Sequence, residues 1–272
     1  MKKTLSSMIV CVFLPLFATT VAQGQKINYR ASTYVKIAPE KEAEALEFAR
    51  TVGTKVVREE MSAGIPIVSF ALSRVTYSGV PAMEYNYIAS TTFEGAPPEP
   101  NPAVTGPIVQ KVAGMSLAQY QQKLSSLGTV TGTVLSRIEA ATPGAKLAEG
   151  NYFQVVRWKI TPQRGADYGS YIQRMQLPLN AQAMKDGRII SWDASRTVSP
   201  GGSGAGWDAT TVTYVKDLAS ALPSTPPAGN QGEMNFGKVF PGQNFTTFVD
   251  AGRALRQAVR TELVRAMVVV QK

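Results

Sequence analysis

The sequence has 272 residues, with 28 Lys and Arg against 19 Asp and Glu, no histidine and one cysteine. Without histidine, Ser-His-Asp and Cys-His catalysis, histidine-held zinc and haem on a proximal histidine are all excluded. The net charge of +9 can steer acidic ligands, but Lys and Arg are dispersed along the chain, so no nucleic-acid partner is expected.

The chain opens on the pattern of a signal peptide. Lys2 and Lys3 precede the apolar run MIVCVFLPLF (8–17), and Thr20-Val21-Ala22 supplies the small residues of a cleavage site. The run is too short for a membrane span, and Cys11 inside it lacks the small-residue box of a lipoprotein. The expectation is a mature chain that starts near Gln23, has no stable membrane insertion, and resides in a bacterial periplasm or medium. Cys11 leaves with the peptide, so no disulfide, thiolate metal site or cysteine nucleophile is expected. A carboxylate-only site for Ca²⁺ or Mg²⁺ stays open, but with six Asp and no D-x-[DN]-x-[DN]-G run no metal-ligating residues are singled out, and no cofactor is expected.

The first strand ends in VKIAP (35–39). A helix over 39–61 follows, opening on Pro39 and acidic residues, with Leu46, Ala49, Val52 and Val56 at helical spacing. MSAG (61–64) closes it with a glycine suited to a left-handed cap. The strand IVSFALSR (67–74) comes next, then the turn SGVP (78–81) and the strand MEYNYIAS (83–90). A proline-rich link, APPEPNP (96–102), leads to a last helix read over 115–140.

The same series then returns. WKITP (158–162), a helix over 163–186 interrupted by Pro178, MKDG (184–187), IISWDASR (189–196), SPGGSGAG (199–206), TTVTYVKD (210–217), LPSTPPAG (222–229) and a helix over 244–268 follow in the same order. The spacing between matched segments is 122–128 residues, and LSR (135–137) is echoed by LVR (263–265). The chain is therefore read as two copies of one unit, 27–150 and 151–272, behind a signal peptide at 1–22. The run GTVTGTV (128–134) is a poor helix former, and only the repeat argues for helix there. The terminal MVVVQK can form a short extra strand.

Each unit reads β-α-β-β-α, an α+β arrangement with helices on one face of an antiparallel sheet, which is the ferredoxin-like plan. In tandem, through the series K-I-x-P … M-x-x-G … I-[VI]-S-[FW]-x-x-S-R, the two units resemble the dimeric α+β-barrel superfamily, above all its exported bacterial members. The resemblance implies two sheets packed face to face, here within one chain, so that no second subunit is needed to complete the barrel. That superfamily includes monooxygenases, haem enzymes and stress proteins, and the resemblance transfers architecture rather than activity.

Along the echoed strand, Val68, Phe70, Leu72 and Arg74 share one face, matched by Ile190, Trp192, Ala194 and Arg196. This larger face is expected against the helices, and the small face with Ser69, Ala71, Ser73, Ser191, Asp193 and Ser195 between the sheets. Two readings of the larger face stand. In one, Phe70 or Trp192 walls a pocket between sheet and helices while Arg74 or Arg196 holds an anionic group. In the other, the aromatics fill the core and the arginines pair with helix carboxylates. The second copy holds all three tryptophans, and Arg157, Asp193 and Arg196 are its candidate polar groups. Asp193 can act as a general base if buried, or pair with Lys159 or Arg157. Tyr87 and Tyr214 are read as equivalent third-strand residues, either lining a pocket or packing across strands. SPGGSGAG lacks a following G-K-[ST] and reads as a turn or lid.

The leading expectation is an exported protein that binds a small apolar or anionic ligand between sheet and helices. The alternatives are an oxygenase- or isomerase-like enzyme without metal or haem, and a structural or interaction module of the envelope.

Overall fold

A computed structural model of the protein describes residues 28–78, 84–143, 147–200, 202–221 and 231–272. The expected signal peptide, the link at 222–229 and most of the SGVP turn lie outside those residues. Eight antiparallel strands close into one barrel in the order β1-β3-β2-β8-β5-β7-β6-β4. The first half supplies β1 (Asn28–Lys36), β2 (Ile67–Ser78), β3 (Tyr87–Glu94) and β4 (Thr129–Ala141). The second supplies β5 (Tyr152–Ile160), β6 (Ser191–Ser199), β7 (Ala209–Val215) and β8 (Arg256–Gln271). Within each half the fourth strand pairs with the first, and the third lies between the first and second. The halves join at two seams, β2 with β8 and β4 with β6. Two tandem ferredoxin-like units thus form a dimeric α+β barrel within one chain, and closure leaves no strand edge open to pairing.

The first crossover of each unit is a helix broken by a π turn at the same place. Helices α1 (Glu42–Phe48) and α2 (Thr54–Ser62) flank a π turn at Ala49–Gly53. Their counterparts α5 (Gly165–Tyr171) and α6 (Leu177–Lys185) flank one at Ile172–Gln176. Pro178 is the second residue of α6, directly after the π turn. Gly64 and Gly187 end the two crossovers at φ +87° and +71°, the left-handed geometry that the MSAG and MKDG endings require. The second crossover of the first unit holds α3 (Pro102–Ala113) and α4 (Leu117–Leu127), the latter opened by a capping box between Ser116 and Gln119. The second unit has α7 (Leu218–Ala221), α8 (Gln231–Val239) and α9 (Phe245–Leu255).

The long last helices expected over 115–140 and 244–268 are corrected by the structure. Each is a helix of 11 residues followed by a strand, β4 or β8, so the unit is β-α-β-β-α-β. In β4 the alternating Thr and Val of GTVTGTV prevail, as their propensity dictates. In β8 the ladder with β2 and β5 overrides a segment, RQAVRTELVRAM, whose composition suits a helix.

Side chains alternate between the helix layer and the barrel interior. Outward, Ile37, Ala45, Leu72, Tyr87, Leu127 and Val268 form the core beneath the first unit's helices, with Phe70 packed on it. Tyr168, Tyr171, Ile172, Trp192, Ala194 and Leu255 do so beneath the second. Inward, Tyr34, Val75, Tyr85, Ile88, Phe153, Val155, Val212 and Val264 fill part of the barrel. The rest of the interior is polar and incompletely filled.

Candidate ligand-binding site

A cavity of about 230 Å³ lies inside the barrel. All eight strands line it, with a hydroxyl-rich wall that includes Ser32, Ser69, Ser90, Ser136, Ser191 and Thr210. The small-polar face of the echoed strands therefore looks into the lumen.

Arg30 of β1, Asp193 of β6 and Tyr214 of β7 form a trio on this wall. Arg30 Nη1 and Nη2 donate to Asp193 Oδ1 and Oδ2 at 3.0 and 2.7 Å, a two-pronged contact that joins the two units. Tyr214 donates its hydroxyl hydrogen to Asp193 Oδ2 at 2.8 Å and accepts from Arg30 Nη2 at 3.2 Å. The Arg30 and Asp193 side chains are 14% and 7% exposed. Burial works against the Arg30 charge, but Asp193 and Tyr214 outweigh it and hold the guanidinium protonated. With both oxygens held by Arg30 and one also by Tyr214, Asp193 acts as an anchor for Arg30.

A second polar group sits towards the β6–β7 connection. Arg157 of β5 and Arg260 of β8 stand directly opposite each other on the ladder. Glu262 lies between their charges, with Arg157 Nη2 at 2.6 Å from Oε2 and Arg260 Nε at 2.9 Å from Oε1. Tyr85 donates to Glu262 Oε1 at 2.5 Å and accepts from Arg157 Nη2 at 3.0 Å. The Arg157 guanidinium carbon lies 4.4 Å from the Trp207 ring centre and 5.2 Å from that of Tyr34. Arg157 is 2% exposed and Glu262 is fully buried.

Burial pushes the phenols of Tyr34, Tyr85 and Tyr214 up. In the unfolded chain they ionise near pH ~10, so above that pH the folded protein binds more protons than the unfolded chain and stability falls as pH rises. The expected loss is about 1.4 kcal/mol per pH unit for each phenol held protonated. Urea midpoints measured across this range check it, and a flat profile to about pH 11 would contradict the buried-phenol picture.

Of the residues singled out in the sequence, Arg157, Asp193 and Tyr214 face the lumen. Phe70, Arg74, Tyr87 and Arg196 lie on the helix side, and so does the packing of Trp192, which also borders the cavity. Arg74 Nη1 and the Tyr87 hydroxyl both meet Glu42 Oε1 on α1, at 3.1 and 2.5 Å. Arg196 Nε lies 2.9 Å from Glu139 Oε1, and its Nη2 donates to the Gly165 carbonyl at 2.9 Å. These polar tips have protein partners, as the packing reading expects.

Four expectations change. The cavity lies between the two sheets, whereas a pocket between sheet and helices was expected. Arg157, Asp193 and Arg196 do not converge, because Arg196 points to the opposite face. Asp193 pairs with Arg30 of the other unit, while Lys159 pairs with Asp208 at 3.5 Å. Tyr87 and Tyr214 are also not equivalent. Arg74 stands opposite Tyr87 and Arg196 opposite Ala209, so Ala209 is the counterpart of Tyr87. Arg30 was legible in the alternation Arg30-Ser32-Tyr34, which repeats the small-polar inward pattern of β2. Glu262 and Arg260 were hidden by the helical reading of their segment.

No family model matches the sequence, and no curated protein does. The architecture is that of the dimeric α+β-barrel fold. A candidate monooxygenase from Fusobacterium nucleatum superposes with a TM-score of 0.57 at 7% identity, over 90% of this chain and 95% of its own. Another, from Lactobacillus acidophilus, gives 0.53 at 7% identity over 91% and 97%. An anthrone oxidase-like protein gives 0.50 at 9% identity over 92% and 95%. At such identities the likeness is one of fold. Among the described residues, no helix is long and apolar enough to cross a membrane, and no group of three or more Cys, Asp or Glu is placed to hold a metal.

Proposed function

We propose that this protein is an exported binder of a small polar molecule held inside the barrel. The observation that carries the reading is the 230 Å³ lumen, walled by hydroxyls and by the Arg30–Asp193–Tyr214 trio. Pockets for drug-sized ligands run to ~300–1,000 Å³, so the occupant is smaller than these. It would exchange hydrogen bonds with Ser and Thr hydroxyls and with the outer edges of a pre-formed ion pair. Such groups fix orientation at little entropic cost, because the trio is already ordered by its own contacts. Export through the signal peptide at 1–22 belongs to the same proposal, and would place the binder in the periplasm or the medium.

Native mass spectrometry of the mature protein from its producing cell, beside the denatured mass, tests this. The expected result is a non-covalent adduct of low mass that disappears on denaturation. A mass equal to that of the bare polypeptide, unchanged after incubation with an extract of small polar metabolites, would contradict the reading. The candidate monooxygenases of the same fold keep an enzyme in view as a second reading. It is favoured only by the contact of Asp193 with Tyr214 beside the cavity, and it requires turnover where the binder requires retention.

A further inference from the structure

The charge inside the barrel does not balance. Among the described residues, the ionisable groups on the inward face are Arg30, Arg157 and the 17% exposed Arg260 against Asp193 and Glu262, which leaves one positive charge uncompensated. The undescribed segments 1–27, 79–83, 144–146, 201 and 222–230 contain no Asp or Glu, and Glu233 belongs to α8 in the helix layer. Asp208 is committed to Lys159 and to the backbone N–H of Ile160, and Glu84, next to Tyr85, is exposed. The tyrosines of the lumen stay protonated and contribute no charge.

The excess sits at one end. Arg30 and Asp193 cancel each other, whereas Arg157 and Arg260 share the single carboxylate of Glu262. Like charges directly opposite on a ladder repel, and a buried unpaired charge is costly. The same end holds four buried N–H donors without a well-aligned hydrogen-bond acceptor among the described residues: Arg157 Nε, Arg260 Nε and Nη2, and Trp207 Nε1. Arg157 and Trp207 both line the cavity, and the guanidinium lies over the indole. Unsatisfied buried donors of this kind are rare in folded proteins and call for a partner. An uncompensated charge and idle donors in one place call for the same partner, an acceptor with a single negative charge.

We propose that the Arg157–Arg260–Trp207 end of the lumen is a binding site for a monovalent anion, supplied by a small inorganic ion or by the carboxylate of an organic ligand. The site deepens the lumen-binding reading, and only the carboxylate source depends on that reading. In the second case the ligand lies with its acid at Arg157 and Arg260 and its neutral polar groups towards the hydroxyl wall and Arg30.

The test is the thermal unfolding midpoint of the full mature chain, titrated with sodium chloride or sodium acetate at an ionic strength held constant with sodium sulfate. A saturable rise in midpoint is expected with at least one of the two anions. Arg260→Met should abolish that dependence and, without added anion, unfold no lower than the wild type, because it removes the uncompensated charge. Arg260→Lys should retain it. Trp207→Phe, which removes one donor and no charge, should weaken the apparent affinity several-fold while leaving the anion-free midpoint near that of wild type. Saturation by chloride, with acetate competing, identifies the single charge as the recognised feature. Saturation by acetate alone identifies the carboxylate. No saturable response to either anion, or an unchanged response in Arg260→Met, overturns the site. A chloride response without any organic adduct in native mass spectra would refute the lumen-binding reading and leave the anion site standing. An adduct without an anion response would do the reverse.

Discussion

Glu262→Gln should be the most damaging single substitution in the barrel, lowering stability by roughly 3–5 kcal/mol. Glutamine preserves the shape of the side chain but removes the one negative charge between Arg157 and Arg260. Two guanidinium groups, that of Arg157 buried, would then face each other across the β5–β8 ladder. The Tyr85 hydroxyl would also lose its charged acceptor. A urea unfolding series read by circular dichroism checks this. A loss below about 1 kcal/mol, the range of an exposed pair, would show that the network is solvated. Arg260→Met combined with Glu262→Gln should be milder than Glu262→Gln alone, because it takes away one of the two repelling charges.

Trp192→Ala should cost about 3–5 kcal/mol through the cavity it leaves. Trp192 is 3% exposed and packs with Tyr168, Ile172, Ala194 and Leu255 under the helices of the second unit. For a domain of this size each kcal/mol lowers the unfolding temperature by roughly 2–4 °C. The variant should therefore be plainly less stable by differential scanning calorimetry. A midpoint within about 2 °C of wild type would contradict its place in that core.

The sequence made the architecture legible because the chain writes it twice. IVSFALSR and IISWDASR occupy corresponding strands, β2 and the approach to β6, and the glycines of MSAG and MKDG take the left-handed conformation at both helix ends. What stayed hidden is what breaks the repeat. Tyr34 and Arg157 are counterparts, so the Arg157–Glu262 network exists at one end of the barrel only. Arg30 reaches Asp193 across a separation of 163 residues and between units. No local pattern encodes such a contact. It follows from the β4–β6 seam, and β4 was concealed by an extrapolated helix. Matching Tyr87 to Tyr214 by residue type also misplaced a side chain. The five-residue offset between Tyr214 and Ala209 reverses the face, and only the pairing register reveals it.

The central claim is that the ligand lies inside the barrel and not between sheet and helices. The measurement that tests it most directly is adduct occupancy by native mass spectrometry in two variants made side by side. Ser90→Phe places a ring in the lumen, where Ser90 lines the cavity. Arg196→Ala removes a guanidinium from the helix side, where it contacts Glu139 and Gly165. The expected result is loss of the adduct in Ser90→Phe and wild-type occupancy in Arg196→Ala, with circular dichroism showing both folded. An adduct kept by Ser90→Phe and lost by Arg196→Ala would contradict it.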